Sequence, residues 1–181
     1  MNSKTKTILS FVTATIVSAI VLFVSCKFTS ERRASAKARA AVNAARFVLP
    51  KSCRKVVPLE GANGIYKGIS ASGKIVAYAS TGTDKHGYGG DIVLAVGFTP
   101  DYSITSYHAL EHNESPGLGD RFAHPDYIRK FRGLDASRKI ALKKDGGEID
   151  AITSATITSR SVCNAVNDAK KRLEEALAAK K

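Results

Sequence analysis

The segment Asp150–Arg160 combines hydroxylic and small side chains directly in front of a helix-forming stretch. It reads Asp-Ala-Ile-Thr-Ser-Ala-Thr-Ile-Thr-Ser-Arg, and apolar residues then recur at helical spacing from Val162 to Leu177. A helix N-terminus offers unpaired N–H groups and the positive end of a dipole, which together attract anions. A phosphate bound near Thr156 is therefore one interpretation of the segment. The other is a plain N-terminal cap, for which the hydroxyls of Thr158 or Ser159 are suited.

Two glycine-rich loops precede this segment, at 86–91 and 112–120. Neither contains the Gly-Lys-Ser/Thr sequence of a phosphate-binding loop, and neither opens a dinucleotide-binding βαβ unit. By composition alone, both are turns. The histidines near them do not follow a metal-ligand spacing, so no metal site is predicted. The sequence also lacks a nucleophile elbow, and no catalytic Ser/His/Asp grouping is expected.

The elements that must position these loops are β-strands. Residues 64–70 and 74–80 flank a Ser-Gly turn, and residues 91–98 and 103–108 flank a second turn, so two hairpins are predicted. The strand 91–98 is apolar throughout, which predicts a central strand covered on both faces. A short helix is expected at 126–131. Antiparallel β-hairpins packed with helices give an α+β fold.

The N-terminal part of the sequence indicates attachment to a membrane. Ile8–Cys26 is an uncharged apolar run of about 20 residues, the length that spans a bilayer core. A cleaved signal peptide and lipid attachment at Cys26 are the alternatives. We expect four parts in order: a short tail at 1–7, a transmembrane anchor at 8–28, a helical stalk at 29–46 and the folded domain at 47–181.

The formal charge of +12 is unevenly distributed along the chain. Residues 1–46 carry +7 and the remainder carries +5. The remainder has no basic stripe interleaved with aromatic residues, so nucleic acid is not an expected partner. The basic residues that follow the apolar run would, by the positive-inside rule, keep the folded domain in the cytoplasm.

The three cysteines are far apart and odd in number, which argues against a disulfide framework. Cys163 falls within the final helix and is expected to be a buried small apolar residue. Whether Cys53 pairs with another cysteine is left open by the sequence.

Three motifs, in this order along the chain, resemble those of FMN-binding domains. They are Tyr88-Gly89-Gly90, then His112-x-Glu114-Ser115-Pro116-Gly117-Leu118-Gly119, and finally Asp150-x-x-Thr153-Ser154-Ala155-Thr156. Such domains occur in the G subunit of the Rnf electron-transport complex and in the C subunit of the sodium-pumping NADH:quinone oxidoreductase. The third motif resembles the flavinylation motif Asp-x-x-[Ser/Thr]-Gly-Ala-Thr, whose last threonine carries FMN through a phosphoester. The resemblance thus implies FMN on Thr156, with Ser154 where the family usually has glycine.

The resemblance also implies which residues line the cofactor. Besides Thr156, the expected FMN-binding residues are Glu114, Ser115, Gly117, Leu118, Gly119, Thr153, Ser154 and Ala155. Glycines in the second loop would let the backbone approach the flavin ring, and Leu118 would pack on its face. Glu114 is expected either to hydrogen-bond the cofactor or to fix its own loop, and Asp150 is expected to guide a flavin transferase.

By this resemblance the protein is a membrane-anchored flavoprotein electron carrier, an electron-transfer subunit of an Rnf-type ferredoxin:NAD oxidoreductase coupled to ion translocation. The implied partners are the other membrane subunits of that translocase and the flavin transferase. Because the flavin domains of this family lie outside the cytoplasm, the resemblance implies a single pass through the cell inner (cytoplasmic) membrane and an extracytoplasmic domain, against the charge pattern. The alternatives are a stand-alone extracytoplasmic FMN reductase and a non-redox anchored binding module with Thr156 unmodified.

Overall fold

The computed structural model describes residues 15, 16, 18, 23 and 41–179. The folded part is a compact unit that begins at Ala41. The predicted tail at 1–7, the predicted stalk as far as residue 40, Cys26 and most of the predicted anchor at 8–28 lie outside the described residues. Within the part that is described, no helix combines the length and the apolar character that crossing a membrane requires.

In residues 41–179, five antiparallel strands form one sheet in which neighbours follow chain order. The hairpins predicted from the sequence correspond to the second with the third strand and the fourth with the fifth, and the α+β class is confirmed. The strands are β1 (Lys55–Pro58), β2 (Ile65–Ile69), β3 (Ile75–Gly87), β4 (Gly90–Phe98) and β5 (Ile104–Glu111).

The helices lie on both faces of the sheet and in the connection after β5. The predicted helix at 126–131 is present as a short α-helix that continues directly into a 3-10 turn. Within residues 41–179, the α-helices are α1 (41–48), α2 (Pro125–Ile128) and α3 (Thr156–Ala178). The 3-10 turns are Gly119–Ala123, Arg129–Phe131 and Lys143–Asp145.

The apolar strand β4 is covered on both faces, as its sequence predicts. Side chains alternate between the two faces of a strand, so Ile92, Leu94 and Val96 enter the core under α3, whereas Ala95 packs on the side of α1. The middle strand of the sheet is β3, and β4 lies beside it. Strand β4 pairs with β3 on one side and with β5 on the other, so it has no free edge.

Helix α3 packs across β3 and β4 and holds its own N-terminus close to the loops at that end of the sheet. Gly82 in β3 lets the helix backbone come near, because an added Cβ would lie 2.0 Å from the carbonyl oxygen of Ala165. Burial of one large apolar side chain contributes about 1.5–3 kcal/mol. The buried stripe of α3 follows helical spacing and comprises Val162, Ala165, Val166, Ala169 and Leu173.

Helix α1 covers the opposite face with small residues. Ala44, Ala45 and Val48 pack on alanines of β3 and β4. The carbonyl oxygen of Val48 accepts a hydrogen bond of 2.5 Å from the hydroxyl of Thr105 in β5. Gly97 makes room for this contact, since an added Cβ would lie 2.3 Å from the same oxygen.

Both described cysteines are free thiols. Cys163 is buried in the core under α3, as its position in the sequence predicts, and burial raises the pKa of its thiol to about 12. Cys53 is half-buried beside the α1 cluster, and burial raises the pKa of its thiol as well.

Candidate functional site

One pocket is lined by residues of all three sequence motifs. Its volume is ≈ 410 Å³, which falls in the range of small-molecule sites. Its walls come from the β3–β4 turn, from the loop and 3-10 turn after β5, and from the start of α3. The lining residues are Tyr88, Glu114, Ser115, Leu118, Gly119, Ser154, Ala155, Thr156, Ile157 and Thr158. The fold therefore brings together segments that are far apart in the sequence.

The start of α3 differs from the cap expected for it. The helix begins at Thr156, and its N-cap residue is Ala155, whose side chain cannot accept a hydrogen bond. Thr158 and Ser159 lie inside the first turn, so the expectation that one of them caps the helix is wrong. Because no side chain caps the first N–H groups, this end of α3 keeps its attraction for an anion.

Ser159 fixes the turn that leads into the helix. Its hydroxyl accepts a hydrogen bond of 2.9 Å from the N–H of Ile152 and donates one of 2.8 Å to the carbonyl of Ala155. The side chain is fully buried. It stabilises the turn and is not in reach of a ligand in the pocket.

Ser154 adopts a left-handed backbone conformation, with a φ of +63°. Among the described residues other than glycine, only Tyr102 shares this feature. The left-handed region costs a residue with a Cβ on the order of 1 kcal/mol. This conformation is the physical reason why a glycine suits the corresponding place of the motif that the segment resembles.

The remaining hydroxyls of the segment face different surroundings. Thr156 is half-buried and lines the pocket, and Ser154 lines it from an exposed position. Thr158 is buried and donates a hydrogen bond to Glu114. Thr153 is exposed and lines a separate pocket on the side of α2, so the structure does not bring it together with the other predicted residues.

Glu114 is buried, with 6% of its surface exposed, and accepts hydrogen bonds from two other segments. Its Oε1 accepts from the N–H of Gly89 at 3.0 Å, and its Oε2 accepts from the hydroxyl of Thr158 at 2.5 Å. The sequence left open whether Glu114 hydrogen-bonds the cofactor or fixes its own loop. These two hydrogen bonds fix loops.

The two glycines of the second motif are required for different structural reasons. Gly117 has a φ of +75°, lies outside the pocket lining, and an added Cβ would meet nothing within 4 Å. A larger residue there would strain the loop without crowding a ligand. At Gly119 an added Cβ would lie 2.7 Å from Oε2 of Glu114, which is too close. Gly119 therefore makes room for the carboxylate.

Three pocket residues were not among those predicted from the sequence: Tyr88, Ile157 and Thr158. Tyr88 belongs to the first motif, but an aromatic residue in a turn gives no local sign of facing a pocket. Ile157 stands between two threonines and is exposed, which its apolar character would not suggest. Thr158 resembles a cap in sequence and reveals its role only through the distant Glu114.

Two ion pairs hold the 143–150 turn next to the segment. Lys143 donates to Asp150 at 2.9 Å, and Arg160 in the first turn of α3 donates two hydrogen bonds to Asp145 at 2.8 and 3.0 Å. The hydrogen bond from Arg160 lowers the pKa of Asp145, and the one from Lys143 lowers the pKa of Asp150. Asp150 thus lies at the surface and forms an ion pair with Lys143.

Comparison with known proteins agrees with the three motifs. Residues 87–171 match the family of FMN-binding domains. Over this segment the chain is similar to that family, which agrees with FMN as the cofactor that the motifs indicate.

The relatives narrow this class. The G subunit of the ion-translocating oxidoreductase complex of Methanosarcina acetivorans is 37% identical over 105 residues, which are 58% of this chain and 55% of that protein. Its counterpart in Shewanella piezotolerans is 39% identical over 101 residues, 52% of this chain and 48% of that protein. The chain spans about half the length of the curated relatives it matches.

Solved structures share the fold. NqrC of Shewanella oneidensis covers 75% of this chain and is itself covered to 73%, with a TM-score of 0.51 and 23% identity. The C subunit of the Na⁺-translocating NADH-quinone reductase of Parabacteroides distasonis covers 62% of this chain and is covered to 61%, with a TM-score of 0.50 and 21% identity. At this level of identity the likeness concerns the fold.

Proposed function

We propose that the chain carries FMN covalently on Thr156 and passes electrons within an Rnf-type ion-translocating oxidoreductase complex. The observation that carries this proposal is the convergence of three motifs on one pocket with Thr156 in its wall. The relatives named as G subunits of ion-translocating oxidoreductase complexes support the same assignment.

Thr156 is the best-placed acceptor for a phosphoester. Thr158 and Ser159 use their hydroxyls in buried hydrogen bonds, and Thr153 lies in the wall of another pocket. Ser154 stands where the resembling motif has glycine, so it is not the shared acceptor. A phosphodiester on Thr156 would lie at the positive end of α3, where N–H groups without a side-chain cap can donate to it.

The apolar wall of the pocket fits a flavin ring. Tyr88, Leu118 and Ile157 are 71%, 39% and 51% exposed, and all three line this pocket. Large apolar side chains that are exposed together mark a binding site. A planar ring placed among them would remove apolar surface from water, while the hydroxyls of Ser115 and Ser154 in the same pocket remain available to polar groups.

FMN supplies the electron-transfer chemistry when it is bound. The residues of the chain would bind it, orient it and limit its contact with water. Thr156 would hold the phosphate end, and the apolar side chains of Tyr88, Leu118 and Ile157 would shield the ring. A covalent link prevents loss of the cofactor by dissociation, which is an advantage outside the cytoplasm, where free FMN is scarce.

Attachment of the flavin requires a second protein. The phosphoester forms when Thr156 Oγ1 loses its proton and bonds to the phosphorus of an activated FMN donor, whose leaving group departs. Glu114, the one carboxylate among the lining residues, already accepts two hydrogen bonds and is not available as the base. We assign the base and the activated donor to a flavin transferase.

Flavin that survives denaturation is the direct test of this function. The full-length chain, co-expressed with a flavin transferase and then denatured, should show flavin fluorescence that migrates with the polypeptide. Peptide mapping should find the FMN mass on the peptide that contains Thr156. The same chain expressed without the transferase is the control. Absence of attached flavin after co-expression would favour the non-redox binding module.

The place of the domain in the cell needs a separate test. We propose that residues 8–28 anchor the chain in the inner membrane and that the domain lies outside the cytoplasm. A reporter that is active only after export, fused after Lys181, should be active. A fusion active only in the cytoplasm would mean that the basic residues after the apolar run set the orientation.

Copurification with other membrane proteins of the complex would distinguish an electron carrier within it from a stand-alone reductase.

A further inference from the structure

Glu114 is the only buried charged side chain among residues 41–179. A buried carboxylate is destabilising unless hydrogen bonds replace the water it has lost. Here the donors are Gly89, 25 residues before it, and Thr158, 44 residues after it. Each oxygen thus reaches a different segment, so this one side chain joins the β3–β4 turn, the loop after β5 and the first turn of α3.

Glycines on both sides make room for this carboxylate. An added Cβ at Gly87 would lie 2.4 Å from the carbonyl oxygen of Gly90 and 2.6 Å from Oε1 of Glu114, and one at Gly119 would lie 2.7 Å from Oε2. Neither glycine has a positive φ, so the reason for glycine here is space and not backbone conformation. Gly87, directly before the first motif, and Gly119 of the second motif therefore both border the buried side chain of Glu114.

The contact with Thr158 sets how α3 begins. Residues two apart on a helix point to different sides. When the hydroxyl of Thr158 is held inward by Glu114, Thr156 is turned away from that contact and remains half-buried at the pocket. Ser159 fixes the turn before the helix, no side chain caps the first N–H groups, and the contact with Glu114 holds Thr158.

We propose that Glu114 is a positioning residue, whose carboxylate joins the three segments and thereby presents Thr156 for attachment of the flavin. This inference rests on the proposed function, because it takes Thr156 as the acceptor. Glu114 acts through Gly89 and Thr158 and needs no contact with the flavin.

The flavin-free full-length chain can be used as the substrate of a flavin transferase. Glu114→Gln keeps the size and one acceptor oxygen but weakens the contact with Thr158. Because a misplaced acceptor lowers the rate of the bound complex, we expect kcat for attachment to fall about tenfold with KM for the chain unchanged. A merely structural role would reduce the folded fraction and raise the apparent KM at constant kcat. Glu148→Gln, the same change at an exposed position, is the matched control and should behave as the unaltered chain.

A double variant tests whether Glu114 acts through Thr158. Thr158→Val removes the hydroxyl at constant shape. If the two residues act as one unit, Glu114→Gln combined with Thr158→Val should be no slower than the slower single variant, whereas independent effects would multiply. Multiplied effects, or a Glu114→Gln chain with an unchanged kcat, would overturn the proposal.

Hydrogen exchange gives a readout that needs no flavin. In the flavin-free chain, Glu114→Ala should speed exchange in the peptide around Gly89 and in the first turn of α3 at least about tenfold, because both lose the same partner. Unchanged exchange in either segment would refute the joining role. If the unaltered chain accepts no flavin while exchange responds as expected, the function proposed for Thr156 fails and the joining role of Glu114 remains.

Discussion

The two faces of the sheet are packed in different ways. Under α3 the core contains large side chains, among them Phe98, Phe122 and Phe131. Under α1 the cluster consists mostly of alanines from the helix and from β3 and β4. Both helices approach the sheet over a glycine, Gly82 for α3 and Gly97 for α1. The candidate flavin pocket is built from the start of α3 and from two loops.

This difference indicates how the protein separates its tasks. Large interlocking side chains restrict the position of α3, which a site at the helix start requires. A face of alanines brings α1 close to the sheet but gives it fewer atoms with which to resist displacement. We therefore expect changes on the α3 face to affect flavin binding and stability, and changes on the α1 face to affect stability alone.

The largest expected effect is the loss of covalent flavin when its proposed acceptor at the start of α3 is removed. Thr156→Ala should abolish covalent flavin, measured as fluorescence that stays with the denatured polypeptide, and should leave the fold intact because the side chain is only half-buried. Thr105→Ala removes a hydroxyl on the α1 face that donates to Val48. It should cost about 1 kcal/mol of unfolding free energy and keep the flavin. Flavin retained in Thr156→Ala would move the attachment to another hydroxyl.

The next largest effect is expected at the two glycines over which α3 and α1 approach the sheet. Gly82→Ala would press a Cβ against the backbone of α3 and should destabilise by about 3 kcal/mol, with reduced flavin attachment. Gly97→Ala should cost less, about 2 kcal/mol, because the small side chains of this face let α1 shift, and flavin attachment should be retained. Urea unfolding measures both. Equal costs, or loss of flavin in Gly97→Ala, would contradict the assignment of tasks to the two faces.

A third effect follows from the buried thiol under α3. The thiol of an unfolded cysteine has a pKa of about 8.5, whereas burial raises the pKa of Cys163 to about 12 in the folded chain. The stability that comes from keeping this thiol protonated is complete below about pH 8.5 and is lost as the pH rises toward 12, by about 1.4 kcal/mol per pH unit. Unfolding measured at pH 8 and pH 10 should therefore show a decrease that is smaller in Cys163→Ala. An identical decrease in both chains would mean that the folded thiol ionises normally.

The smallest expected effect concerns the strain at Ser154. Ser154→Gly relieves the left-handed conformation but makes the unfolded chain more flexible, so the net gain should be about 0.5 kcal/mol. Flavin attachment should be equal or faster. Ser72→Gly, at an exposed turn position without a positive φ, should destabilise instead. A loss of stability in Ser154→Gly would show that the serine side chain contributes contacts that outweigh its strain.

The sequence by itself determined most of the elements and indicated the family. Alternation and turn residues predicted both hairpins, the uninterrupted apolar run of β4 predicted burial on both faces, and the ordered motifs indicated an FMN-binding domain. These features are recognisable because each depends on neighbours within a few residues, or on a pattern that many chains share.

The tertiary structure decided where α3 begins and what the polar residues of the motifs do. Thr158 reads as a cap in the sequence, but its hydroxyl binds Glu114, 44 residues away. Gly119 reads as a residue that admits a ligand, but it makes room for the same carboxylate. A hydrogen bond or a close contact between distant segments leaves no local periodicity, so these roles follow only once packing has brought the segments together.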